Sequence, residues 1–170
     1  MDRAGFWKII ETSLKKSKGD PEDQIDILHG ELQGLAVKEI VSFANQFRDF
    51  WFAAYRWDLW AAAHLIGGGC SDDGFMDFRG WLIGRGQVVY EAALTNPDSL
   101  ARTVGDDEDC QIEGYQYVAQ QVWEDKTGKD GLDFPGGEGI HPAVPLGEKW
   151  ADDDLPRLFP ELAKKFSENL

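Results

Sequence analysis

The residues whose types carry the most chemistry fall between positions 57 and 79. His64, Cys70, Ser71, Asp72, Asp73, Asp77 and Arg79 span the end of one apolar run, a triglycine segment at 67–69 and the start of the next run. A glycine turn between two helices can aim side chains and backbone N–H groups into one cleft. Asp73 and Asp77 stand four apart, on one helix face, where two carboxylates could hold Mg²⁺ or divide acid and base roles. Trp57 and Asp58, with Trp60 close behind, extend the candidate binding set, because paired indoles offer faces to a planar ligand.

Each of these residues also has a purely structural use. Ser71 suits a helix N-cap, and Asp72 and Asp73 suit the first turn that follows it, where they complement the helix dipole. Arg79 can pair with a carboxylate of its own or a neighbouring helix. Gly69-Cys70-Ser71-Asp72-Asp73 departs from the nucleophile elbow at its last position and follows no expected strand. Cys70 is best read as a buried thiol, and a Trp pair beside Leu and Ala as core. His29 and His141 lie in unrelated segments, so no three-histidine metal site is expected. Gly128-Lys129-Asp130 is not a phosphate-loop ending, and the acidic run 106–109 lacks the spacing of a calcium loop. No catalytic set, cofactor or metal is assigned.

The elements that would position these residues are helices. Phe6, Trp7, Ile10 and Leu14 share one face of a first helix ending near Lys18 and Gly19. Asp20-Pro21 then reads as a cap and first helical residue, opening a helix with Ile25, Leu28, Leu32 and Leu35 on its seam. Val37 to Trp51 forms a further face, and the spacing leaves open whether Gly34 separates it from the helix before it. Trp57 to Ile66 reads as a buried helix stopped by the three glycines, and Phe75, Phe78 and Leu82 as the stripe of the next. Gln87 to Thr95, a short turn after Asn96-Pro97, and Tyr115 to Lys126 complete the central set. Residues 128–150 form an irregular arm rich in glycine and proline. Leu158, Phe159, Leu162 and Phe166 predict one last helix. The expected architecture is an all-α single domain spanning 1–170, with about seven or eight helices.

Composition bounds the remaining choices. Hydrophobic residues make up 42% of the 170, with seven Trp and ten Phe, which is ample for an aromatic core. The two cysteines, forty positions apart, match neither a disulfide framework nor a zinc site. Charged residues interrupt the longest apolar region, 43–66, so no membrane span is expected, and the start of the sequence carries no secretory pattern. A cytoplasmic location is the resulting expectation. Net charge is −14 and uneven: residues 1–102 carry 11 basic and 15 acidic groups, residues 103–170 carry 6 and 16. Such a field repels nucleic acid and anionic membranes and favours a basic protein partner.

Three stretches carry a family resemblance: Tyr55-Arg56-Trp57-Asp58-Leu59-Trp60-Ala61-Ala62, Gly68-Gly69-Cys70-Ser71-Asp72-Asp73-Gly74-Phe75 and Phe78-Arg79-Gly80-Trp81-Leu82-Ile83. Together with Phe6-Trp7, Asn96-Pro97-Asp98 and Pro160-Glu161-Leu162, they resemble the bacterial domain-of-unknown-function family 4240 across nearly the whole chain. The resemblance implies one domain and transfers no catalytic residue. Two functions stay open. The leading one is a non-enzymatic, acidic interaction or regulatory protein that binds a basic partner. The alternative is an enzyme or small-ligand binder with a polar cleft around His64, Cys70, Asp72, Asp73 and Arg79.

Overall fold

The computed structural model describes residues 1–137 and 139–169. Seven α-helices of nine or more residues dominate the described part: α1 (Arg3–Lys16), α2 (Pro21–Gln33), α3 (Val37–Ala53), α4 (Trp57–Gly67), α5 (Asp72–Gly84), α6 (Gln87–Thr95) and α7 (Val118–Thr127). Two short helices follow, α8 (Leu155–Leu158) and α9 (Pro160–Lys165), with 3₁₀ turns at Pro97–Arg102, Gly131–Asp133, Asp152–Asp154 and Ser167–Asn169. No strand occurs among the described residues, and the all-α expectation holds. None of the described helices is long and apolar enough to cross a membrane.

Local chemistry sets most boundaries. Asp2, Asp20 and Ser71 accept the N–H of Gly5, Asp23 and Gly74 at 2.8, 2.9 and 3.1 Å, closing the open N-termini of α1, α2 and α5. Gly68 and Gly128 take left-handed conformations, φ 63° and 65°, that end α4 and α7. Residues 34–36 separate α2 from α3, and Glu39 reaches back to the Ala36 N–H at 3.0 Å. The last expected helix is broken. Pro160 forces the residue before it out of the helical region, so Phe159 sits at φ −132° and ψ 67° between α8 and α9.

The helices enclose one set of buried apolar side chains that runs from Phe6 to Phe166. α1 lies on α2, α3 and α2 both pack on α7, and α9 docks on the 3₁₀ turn at 97–102. Asp98 fastens that last contact, its two carboxylate oxygens accepting the Glu161 and Leu162 N–H groups at 3.1 and 2.8 Å. A buried polar knot ties α2 to α5. Gln24, fully buried, donates to Ser13 Oγ (3.2 Å) and the Gly84 carbonyl (2.8 Å) and accepts from Arg85 (2.9 Å) and Tyr115 (2.8 Å). All its hydrogen-bonding capacity is thereby used.

The arm that follows α7 folds back over the end of α3. Phe134 meets Trp123 edge-on at 5.6 Å, and Gly137 donates to Asn45 Oδ1 at 3.0 Å. Leu146 then exchanges backbone hydrogen bonds with Tyr55 and Trp57 at 2.9 and 3.0 Å, a parallel bridge centred on Arg56.

Candidate functional site

α5 places Asp72, Met76 and Arg79 on one face, since residues three and four apart are neighbours on a helix. Opposite stand Trp51 from the last turn of α3, Tyr55 just beyond it, and Trp60 from α4. His141 of the arm closes the remaining side. These seven residues line a cavity of about 400 Å³, within the range of small-ligand sites.

Arg79 is its most unusual wall. The residue is 1% exposed, yet among the described residues no carboxylate lies within ion-pair distance of it. Aromatic faces surround the guanidinium instead: its carbon stands 3.6 Å from the Trp51 ring centre, 4.8 Å from Tyr55 and 5.2 Å from Phe75. Nε donates to the Phe75 carbonyl at 3.3 Å, and Nη1 donates to the Trp51 carbonyl at 3.2 Å and to His141 Nε2 at 3.3 Å. The Trp51 contact satisfies an orphan carbonyl at the C-terminal end of α3 and sets a cation at the negative end of its dipole. Arg79 is therefore part of the fold as well as of the cavity. The two hydrogens on Nη2 have no protein acceptor among the described residues. Burial pushes the Arg79 pKa down to about 10, so the group stays cationic at neutral pH. A buried cation without an anion is costly, and cation–π contact offsets only part of that cost.

The hydrogen bonds fix the tautomer of His141. Nδ1–H donates to the Pro142 carbonyl at 2.8 Å, leaving Nε2 to accept from Arg79. Its ring stands edge-on to Tyr55, Trp51 and Phe52 at 4.5, 5.4 and 5.2 Å. Trp51 and Trp60 point their indole N–H groups away, into the carbonyls of Met76 and Cys70, both at 3.0 Å, and so offer the cavity aromatic carbon alone.

Of the residues singled out from the sequence, Trp60, Asp72 and Arg79 meet at this cavity, with Asp72 exposed at its rim. The others go elsewhere. His64 faces the far end of α4, its ring 4.8 Å from Trp150 and its Nε2 4.0 Å from Asp152. Cys70 is a free, partly buried thiol. Burial, then Asp77 and Asp72, push its pKa up to about 12, which keeps it protonated and unreactive at neutral pH. Ser71 caps α5, and Asp73 is exposed in the same first turn. Asp77 turns aside to accept from Gln116 Nε2 at 2.8 Å; its pKa is raised by burial and by neighbouring carboxylates, Asp73 among them. No group of three metal-binding side chains occurs among the described residues.

Asp58 accepts from Nε and Nη2 of Arg56, one edge of its guanidinium, at 2.9 and 2.7 Å. Trp57 stacks on Trp60 at 5.2 Å and 13°, under the Lys149 ammonium at 5.3 Å. The stack continues through Trp60–Phe75 (4.7 Å) and Phe75–Phe78 (6.0 Å) to Phe78–Trp81 (5.6 Å), an aromatic ladder that enters the core behind the cavity. Sequence reasoning missed Trp51, Tyr55, Met76 and His141. The spacing of Trp51 and Tyr55, one turn apart, was a readable signal. Nothing local marks His141, whose partner lies 62 positions away.

No curated protein and no solved structure matches the chain. The family model described as "Protein of unknown function (DUF4240)" matches residues 1–125, a span that holds every cavity residue except His141. By that match over most of its length, the chain belongs to the DUF4240 family.

Proposed function

We propose that this protein, acting as one domain, binds a small organic carboxylate in the cavity floored by Arg79. The observation that carries the reading is the buried guanidinium without an anionic partner. A ligand carboxylate would accept from the idle Nη2 hydrogens and neutralise the charge in a low-dielectric surround, where such hydrogen bonds are strong. Trp51, Tyr55 and Trp60 add aromatic surface for the body of the ligand. The role is recognition rather than catalysis: both nitrogens of His141 are engaged, and the Cys70 thiol stays protonated at neutral pH. Calorimetric titration with acetate, benzoate and phenylacetate, at fixed ionic strength, tests it. Binding by the wild type and a loss of tenfold or more in Arg79→Gln is expected. Wild-type protein that ignores all three at millimolar concentration, or an Arg79→Gln variant that binds equally well, refutes the reading.

A second reading keeps the acidic interaction protein of cytoplasmic setting, and a different observation favours it. Leu132 and Ile140 are 95% and 96% exposed on the arm, and Val144 and Leu146 are also largely bare, within the segment 103–170 that carries 16 acidic and 6 basic groups. Apolar side chains framed by negative charge suit a basic protein surface. Binding to a cationic protein that weakens steeply with salt, and is lost in Ile140→Asp, is expected. Insensitivity to both changes would remove this reading.

A further inference from the structure

A second hollow lies beside the Arg79 cavity. It measures about 270 Å³ and runs between α3, α7 and the arm, with Phe43, Phe47, Ala119 and Phe134 on its walls. Trp51 and Met76 border both spaces. The walls the two spaces share are thus an indole ring and a thioether chain, the latter the most adaptable of apolar side chains. The two volumes together fall inside the range of organic-ligand pockets.

We infer that the two spaces form one site for an amphipathic monocarboxylate, its head on Arg79 and its aliphatic tail laid along the hollow over Trp51 and Met76. This rests on the reading of Arg79 as a carboxylate site and adds the class of ligand. The lining favours a hydrocarbon over a peptide. A bound peptide brings a backbone N–H and C=O with almost every residue, and each needs a partner. Along the hollow Gly137 N is committed to Asn45 at 3.0 Å, while Gln116 Nε2 and Gln120 Nε2 give one hydrogen each to Asp77 and Glu124 at 2.8 and 2.9 Å; their second hydrogens and the buried, unpartnered Gln116 Oε1 are too few for an extended peptide backbone. An alkyl chain asks for none. The head is a monoanion because only the Nη2 hydrogens of the guanidinium are open and Asp72 stands at the rim, which disfavours a phosphate dianion.

The test is a calorimetric series with acetate, butanoate, hexanoate, octanoate and decanoate, kept below micelle-forming concentrations. Wild-type affinity should rise roughly two- to fourfold per methylene, the gain of partial to full burial of each. Arg79→Gln should weaken the whole series while leaving its slope in place. A flat series that still depends on Arg79 overturns the tail site and leaves the carboxylate reading standing. A series in which Arg79→Gln leaves every affinity at its wild-type value, or equal binding of decyltrimethylammonium, overturns the carboxylate reading itself. Tighter binding of an apolar peptide with a free C-terminus than of decanoate would also overturn the inference, in favour of a peptide groove.

Discussion

Gly84→Ala isolates the contact by which α5 is held against the segment that leads into α7. A Cβ at Gly84 would stand 2.6 Å from Tyr115 Cε1, 2.7 Å from Cζ and 2.9 Å from Oη. Real side chains do not approach so closely, so the ring must move. It is 1% exposed and pinned at its tip, where the hydroxyl donates to Gln24 Oε1 at 2.8 Å. Forcing a methyl into such a place costs about 1–3 kcal/mol, and a weakened buried hydrogen bond adds roughly 1 kcal/mol. Against this stands at most about 1 kcal/mol from replacing a helical glycine. The net loss is about 1–3 kcal/mol, or a fall in Tm of roughly 2–10 °C for a chain of this length. Gly30→Ala supplies the control, because a Cβ there meets nothing within 4 Å inside α2. It should stabilise by about 0.5–1 kcal/mol. Urea unfolding of both variants measures the pair. Should Gly84→Ala match or exceed the wild type, the packing argument for α5 is wrong.

Four other outcomes are expected. Ser71→Ala should cost about 0.5–2 kcal/mol by urea unfolding, the loss of an N-cap, with a smaller, salt-sensitive loss in Asp73→Asn; unchanged stability with impaired ligand binding would assign this turn to function instead. Asp77 has a folded-state pKa above its ordinary value, so the folded state holds its proton more tightly and stability falls as pH rises through that window. Asp77→Asn, which keeps an acceptor for Gln116, should therefore be more stable than wild type at pH 7 and equal to it once pH drops below the ordinary carboxylate value; the reverse order would contradict the burial argument. Asp98→Ala strips two N–H groups of their acceptor at the start of α9 and should cost roughly 1–3 kcal/mol, with faster hydrogen exchange at Glu161 and Leu162; unaltered exchange there would show that α9 docks without it. Raising salt from low to physiological should increase Tm by screening the carboxylates of 103–170 over about 8–10 Å, and a flat or falling Tm would count against that repulsion.

The fold was legible where its causes are local. Asp20-Pro21, Ser71, Gly68 and Gly128 each set a helix end through their own backbone or a neighbour a few residues away, which is why spacing alone located them. The break at Phe159-Pro160 was hidden by Leu158, Phe159, Leu162 and Phe166, whose spacing fits one helix although proline forbids it. The site was half legible. Asp72 and Arg79 share a helix face and could be paired on paper, whereas Trp51 and His141 reach them only through the docking of α3 and the return of the arm. His64 and Cys70 enter one candidate cluster because they are close in sequence. The left-handed Gly68 instead turns the chain between them, and they serve different surroundings.

The aromatic ladder has an optical consequence. Trp57 and Trp60 lie near-parallel at 5.2 Å, close enough for their transition dipoles to mix, so the protein should show an exciton couplet superposed on its helical circular dichroism. Helix content taken from far-ultraviolet spectra alone would then be distorted, and the near-ultraviolet signal becomes the better gauge of intact packing. Trp51, stacked on Arg79 at 3.6 Å, gives the cavity its own fluorophore. A carboxylate that draws the guanidinium off the indole face would be seen as a change in emission without any label.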